Sequence, residues 1–372
     1  MASKSVGIMI PDAGGKGSNI FLSNLSAIQA SIFEKTHVVG RDIESSRYIN
    51  VYVHSVAHND GGGIISRLIK YALLQVIMSS KMKELSSDVD TWIFFLGGET
   101  LPLPILTGRL LNKKVILLLT ASPEREPRYE NNICRKMLNF FKHICCTFST
   151  RIVVYSKNHI QFCNIEEYRH KVLIAHEHFL DFSDFAAITP LTSRPSLIGY
   201  IGRLNEEKGV QHFAQALPII LDDRQNLRAL IGGDGPLKET IVASLKEGGV
   251  TSRVGLPGWI SRDDLPGYLN QIQLLILPSY TEGLPNVMLE AMACGTPVLA
   301  TPVGAIPDII IDGKTGFIME NNSPECIAEN VIRALNSPDL ERIAEDGRRF
   351  VVENFTFERT VENWKKILQS IE

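Results

Sequence analysis

The sequence predicts an α/β protein made of two parallel-sheet domains, and three observations carry that prediction. Its 372 residues exceed the size at which a single hydrophobic core stops growing. Short apolar runs alternate with longer helical patterns along the chain, as in parallel strands joined by crossover helices. The alternation breaks once, at 188–196 (ITPLTSRPS), where two prolines and several hydroxyl residues read as a linker.

Before the break, strands are expected at Val6 to Ile10, His37 to Val39, Ile49 to Val56, Trp92 to Leu96, Val115 to Leu119, Ile152 to Tyr155 and Val172 to Ala175. After it they are expected at Leu197 to Ile201, Leu227 to Ile231, Leu274 to Leu277, Val298 to Ala300 and Phe317 to Met319. From Pro324 onward only helical patterns appear, the last over Phe357 to Ile371 with apolar residues at Val361, Trp364, Ile367, Leu368 and Ile371. The expected division is therefore an N-terminal domain over 1–188, a linker over 189–196, a second domain over 197–355 and a C-terminal helix over 356–372.

Composition excludes several classes. With 44% hydrophobic and 21% charged residues the chain is neither disordered nor fibrous. A net charge of −3 gives no global attraction to nucleic acid, and no nucleic-acid partner is expected. The six cysteines contain no C-x-x-C pair, so neither a zinc module nor a disulfide framework is implied and a reducing, cytoplasmic setting is expected. No apolar stretch reaches the length of a membrane-spanning helix, which points to a soluble or peripheral protein.

The sharpest chemical signal is Pro278 to Gly295 (PSYTEGLPNVMLEAMACG), where a strand ends and a helix begins. Pro285 suits a helix start and Gly295 a C-terminal cap. Glu290 is the only charge among Val287, Met288, Leu289, Ala291, Met292 and Ala293. A carboxylate there must accept hydrogen bonds from sugar or ribose hydroxyls or from a basic residue. Glu282 lies eight residues earlier on the loop at the strand's carboxyl end, where open α/β sheets bind ligands. The N–H groups of Gly283, Leu284, Pro285's neighbour Asn286, and Val287 are expected to face a ligand, as first-turn donors are unpaired.

A second signal is Gly202 to Gly209 (GRLNEEKG), where Arg203 and Lys208 flank a helix start and suit a diphosphate. Two weaker glycine loops follow other strands: Gly232 to Pro236, with Gly233 and Gly235, and Gly255 to Trp259, with Leu256 and Gly258. In the first half, Gly14-Gly15-Lys16-Gly17 follows the first strand, so Gly15 and Gly17 are candidates for close backbone approach to a phosphate.

In order and spacing these strings resemble glycosyltransferase family 4, whose retaining enzymes have the GT-B fold, two Rossmann-like doubly wound domains facing a cleft. The matching strings are the G-R-L-x-x-x-K-G loop, the G-x-G-P turn and the E-x7-E element from Glu282 to Glu290. The resemblance implies that Arg203 and Lys208 hold the donor diphosphate, with Glu282 completing the catalytic set. It implies that Glu290 binds ribose, that Glu282 and the Gly283 to Val287 backbone hold the transferred sugar, and that Leu256 to Trp259 lie beside the nucleobase. It also implies a UDP- or GDP-linked sugar as co-substrate, a glycan or lipid-linked acceptor, and no resident cofactor or metal.

The chain departs from the family at two places. Thr120, Ala121 and Ser122 stand where a histidine is usual, so either Ser122 takes the donor-sugar or acceptor contact or the donor differs. The loop before the linker reads Ala175-His176-Glu177-His178-Phe179-Leu180-Asp181, whose histidines are read as hydrogen-bonding between domains, not as metal ligands. Asp88-Val89-Asp90 precedes a strand and is read as a solvated loop. The stretch 131–165 carries Arg135, Lys136, Lys142, Arg151 and Lys157 without an acid, and two readings stand: a basic amphipathic surface for an anionic membrane, or an ordinary core-facing helix. The competing functions are a nucleotide-sugar epimerase on the same architecture and a sugar-nucleotide-binding protein without turnover.

Overall fold

A computed structural model describes residues 5–12, 16–41, 43, 48–56, 64–120 and 132–371. Gly15 and Ser122 lie outside the described residues, as does Asn131. The chain forms two compact units, one holding the described residues up to Thr120, those of 132–179 and the tail from Phe357, the other running Leu180–Thr356.

The first unit is built on β1 (Ser5–Met9), α1 (Lys16–Ile32), β2 (Lys35–Gly40), β3 (Val51–Ser55), α2 (Ile64–Glu84), β4 (Thr91–Phe94), α3 (Pro102–Leu110), β5 (Lys114–Leu119), α4 (Asn132–Phe148), β6 (Arg151–Val154), α5 (Lys157–Phe162) and β7 (Val172–Ile174). The strands form one parallel sheet in the order β3-β2-β1-β4-β5-β6-β7. Ile8, Ile93, Phe94, Ile116, Leu117 and Val153 are fully buried, as expected of parallel strands covered on both faces. The steps β3 to β4, β4 to β5 and β5 to β6 all run the same way across the sheet, so right-handed crossovers put α2, α3 and α4 on one side. The step from β1 to β2 runs the other way and puts α1 on the opposite side, where the tail helix packs against it.

The second unit contains β8 (Leu197–Ile201), α6 (Val210–Asp223), β9 (Arg228–Gly232), α7 (Lys238–Glu247), β10 (Val254–Gly258), α8 (Leu265–Leu269), β11 (Leu274–Leu277), α9 (Asn286–Ala293), β12 (Val298–Ala300), α10 (Ile306–Ile309), β13 (Phe317–Ile318), α11 (Pro324–Leu335) and α12 (Leu340–Asn354). Its six strands are parallel in the order β10-β9-β8-β11-β12-β13, with Phe213, Leu217, Ile231, Ile276, Leu299 and Val331 among the core. The last helix of the chain, α13 (Phe357–Gln369), belongs to the first unit.

Twelve strands match the expected runs; β10 is additional. Its sequence, VGLPG, carries two glycines and a proline, which an edge strand tolerates because one side needs no ladder partner. The stretch Gly255 to Gly258 is thus an irregular edge strand and not the loop expected from its glycines.

The stretch 189–196 does not mark the division, which falls between Phe179 and Leu180. Arg194 explains why. Buried, it donates to the carbonyls of Leu269 (3.2 Å), Ile272 (2.7 Å) and Cys294 (2.7 Å) and to Thr296 Oγ1 (2.7 Å), which fastens this segment inside the second unit.

Candidate active site

Because β10, β9, β8 and β11 are adjacent and parallel, the loops that follow them emerge at one sheet edge. Backbone hydrogen bonds join them directly: Gly202 N to Gly232 O at 3.0 Å, Leu204 N to Asp234 O at 2.9 Å and Gly233 N to Gly258 O at 2.7 Å. Gly233 has φ +138°, and a Cβ there would lie 1.8 Å from Gly202 O, so only glycine lets the two loops touch. Gly209, at φ +64°, allows an equally close approach, since a Cβ would lie 2.0 Å from Pro278 O. The Arg203 to Gly209 loop is thereby pressed onto the loop that carries Glu282, and Tyr280 N donates to Glu207 O at 2.9 Å.

The structure brings Lys208 and Glu282 together. Lys208 Nζ donates to Glu282 Oε1 at 2.8 Å, and Ser279 Oγ donates to the same oxygen at 2.8 Å. Glu282 is buried, and Thr301 Oγ1 holds the carbonyl of Ser279 at 2.6 Å from the next strand. Thr281 Oγ1, also buried, has no partner. Arg203 is placed differently: it is largely exposed, with its guanidinium on Glu207 Oε1 at 2.7 Å. Arg203 and Lys208 therefore lie at the two ends of one loop, each engaged by a carboxylate of the second unit.

Glu290 is buried on α9 and takes a hydrogen bond from Arg262 at 3.1 Å, so a basic residue meets it. Burial raises its pKa, and the Arg262 cation opposes that shift. Arg262 also lies over the Phe185 ring, 5.3 Å from its centroid, which fixes the guanidinium at the helix. Pro285 occupies the N-cap of α9 and no side chain caps that end, where Asn286 and Val287 open the helix. Leu284 itself is buried, and Gly283 O is taken by Ala305 N at 2.9 Å.

The remaining candidates are placed as follows. Leu256 and Gly258 lie on the edge strand β10, and Trp259 just beyond it is 62% exposed. Gly235 belongs to the turn after β9, with φ +154°. Gly17 lies in the first turn of α1, in the other unit. Sequence reasoning missed Arg262, Ser279, Glu207 and the pair His212 Nε2 to Tyr280 OH at 2.7 Å. Signals existed for Glu207 and Tyr280, which stand inside the strings GRLNEEKG and PSYTEG, whereas Arg262 comes from a segment with no motif.

In the first unit, Glu177 and His178 are buried and His176 is half-buried. His176 O accepts from Trp364 Nε1 at 2.9 Å and His178 O from Thr360 Oγ1 at 3.1 Å, so this strand extension seats α13. Tyr155 donates to Glu177 Oε1 at 2.6 Å. Burial raises the Glu177 pKa to about 8 and lowers that of His176 to about 4. Asp88 and Asp90 are not simply solvated: Asp88 meets Lys35 at 3.3 Å and His37 at 3.2 Å, and Asp90 meets Lys113 at 2.7 Å. Among the described residues no group of three or more His, Cys, Asp or Glu side chains is placed to hold a metal ion.

Residues 181–350 match the family described as glycosyl transferases group 1. That stretch is less than half of the chain and falls within the second unit. It is 32% identical over 142 residues to the 2-deoxystreptamine glucosyltransferase of Streptomyces kanamyceticus, covering 38% of this chain and 37% of that protein. It is 31% identical to the N-acetyl-α-D-glucosaminyl L-malate synthase of Bacillus anthracis, covering 49% and 47% respectively. The chain thus spans less than half the length of these curated relatives. Among solved structures, Anabaena HepE in complex with UDP and glucose superposes with a TM-score of 0.76 at 14% identity, covering 100% of both chains. The sucrose-phosphate synthase of Thermosynechococcus elongatus gives 0.76 at 16% identity, covering 99% of both. The fold shared with these structures is GT-B.

Proposed function

We propose that this protein is a hexosyltransferase that moves a sugar from a nucleoside diphosphate, UDP- or GDP-linked, to a glycan or lipid-linked acceptor, with retention and without a metal. The reading is carried by the Lys208–Glu282 pair, seated in the loop cluster of a domain whose relatives' names denote transferases of glucose-type sugars. A cytoplasmic setting suits the buried cysteines Cys145, Cys146, Cys163, Cys294 and Cys326, none of which is in a disulfide.

In this reading the bond from the anomeric carbon to the diphosphate oxygen breaks and the diphosphate leaves with the electron pair. The acceptor oxygen forms its bond on the same face, and its proton passes to the departing phosphate oxygen. Arg203 and Lys208 neutralise the charge that grows on that phosphate. Before the donor arrives each cation is held by a carboxylate, and the incoming diphosphate competes for it. Glu282 is then released to accept from sugar hydroxyls, while Glu290, kept at the helix by Arg262, accepts from ribose. The Gly283 to Val287 backbone and the Gly233 and Gly235 turn line the phosphates and sugar, and Leu256 to Trp259 border the base.

The test is product analysis with a donor panel and a simple glycoside acceptor, with and without a chelator. The reading requires nucleoside diphosphate release coupled to a product that keeps the donor's anomeric configuration, unchanged by the chelator. Sugar interconversion without an acceptor, or inversion, contradicts it.

A further inference from the structure

Helices α2, α3 and α4, on one side of the first sheet, are rich in cations, and beyond them the exposed Glu167 reaches His143 of α4 at 3.4 Å. Helix α2 packs on α3, and α3 on α4. Together their sequences hold eight Lys or Arg and one acid, Glu84, in a chain whose net charge is −3. Glu84 is itself neutralised by Lys81 at 2.8 Å.

On α2, Ile69, Leu73, Val76 and Ile77 recur at helical spacing and are each about half exposed, at 57%, 54%, 54% and 45%. They form an apolar stripe on the outward face of a helix whose inner face buries Leu74, Met78 and Met82. On α4, Met137 and Phe140 are exposed beside Arg135 and Lys136, and Arg109 of α3 and Lys83 of α2 are exposed as well. Lys142, counted with the basic stretch from sequence, is not part of this surface: it is buried and donates to Cys163 O at 2.7 Å.

We infer that this three-helix face docks on an anionic lipid surface, with α2 and α4 lying in the interface plane. Large aliphatic and aromatic side chains enter the acyl boundary while exposed cations meet the headgroups. Charge complementarity selects this occupant. A second copy of the chain would set one cation-rich, acid-poor face against another, whereas an anionic membrane supplies the missing charge and accepts the apolar stripe. The inference stands on these helices alone and is read without catalysis.

The experiment is flotation of the full chain with phosphatidylcholine vesicles, with and without phosphatidylglycerol. Three forms are compared: wild type, L73E/I77E/F140E and R135Q/K136Q. All replaced residues are exposed, and an unchanged circular dichroism melt confirms folding of each variant. The expected result is flotation only with the anionic vesicles, loss in the apolar variant, and weakening of about fivefold per cation removed in the other. Wild type that fails to float, or variants that float as well as wild type, overturns the inference. Self-association that the apolar variant abolishes, without vesicle binding, overturns it in favour of a second copy.

Discussion

Lys208 and Arg203 sit on the same loop but in different surroundings, and the difference separates their roles in solution. Lys208 is held against a buried carboxylate, so Lys208→Ala leaves Glu282 with Ser279 as its side-chain donor and lowers the melting temperature as well as the rate. Arg203 is 65% exposed on its side chain, where an ion pair contributes little to stability. Arg203→Ala therefore melts like wild type and loses turnover by roughly a hundredfold, as does Lys208→Ala. Steady-state rates and thermal melts of the two variants check this, and unchanged turnover in both removes them from the chemistry. The residues legible in the sequence were those that stand in ordered strings, Arg203, Lys208, Glu282 and Glu290. Arg262 was not, because it reaches Glu290 from a loop 28 positions away with no pattern of its own. Lys142 was misplaced for the opposite reason: a lysine in a basic run reads as surface, and only the fold shows that Cys163 O binds it.

At the scale of elements, the strands that alternate with helices were legible because burial on both faces demands continuous apolar runs. Strand β10 was not, since an edge position tolerates the glycines and proline that ordinarily signal a loop. The loop between β8 and α6 depends on Gly209, and Gly209→Ala is expected to cost at least about 1 kcal/mol from its left-handed φ alone. Contact with Pro278 O adds to this, so urea denaturation should shift to a lower midpoint while an exposed Gly267→Ala control barely changes. The seat of α13 gives a pH prediction. The folded pKa of Glu177, about 8, exceeds its ordinary value of 4.5, so its contribution to stability is complete at low pH and is lost as pH rises to 8. His176 acts oppositely: with a folded pKa of about 4 against 6.5, its contribution is complete above 6.5 and is lost as pH falls to 4. The two slopes cancel between 4.5 and 6.5, and Glu177 alone acts from 6.5 to 8. In that upper window the melting temperature of wild type should fall more steeply than that of Glu177→Gln; equal slopes would remove Glu177 as the cause.

For the molecule as a whole, two parallel sheets were readable from length and alternation, but the division between them was not. The proline-rich stretch at 189–196 resembled a linker by composition, and Arg194 ties it into the second unit through carbonyls drawn from segments 75 to 100 positions away. Charge is similarly uneven at this scale. The acid-poor helices gather on one side of one sheet, while the carboxylates that matter to the site, Glu207, Glu282 and Glu290, gather in the other unit and hold its cations. On the proposed reading a donor diphosphate would enter a site whose positive charge is already partly compensated, and its binding would displace those carboxylates. The direct measurement is the thermal shift of wild type, Lys208→Ala and Glu290→Ala with UDP, GDP, ADP and dTDP and their common sugars. A ligand at a hundred times its dissociation constant stabilises by about 2.7 kcal/mol. One nucleotide should stand out with wild type and fade in both variants. Equal shifts in all three proteins, or none with any nucleotide, would contradict a donor site built from Lys208, Glu282 and Glu290.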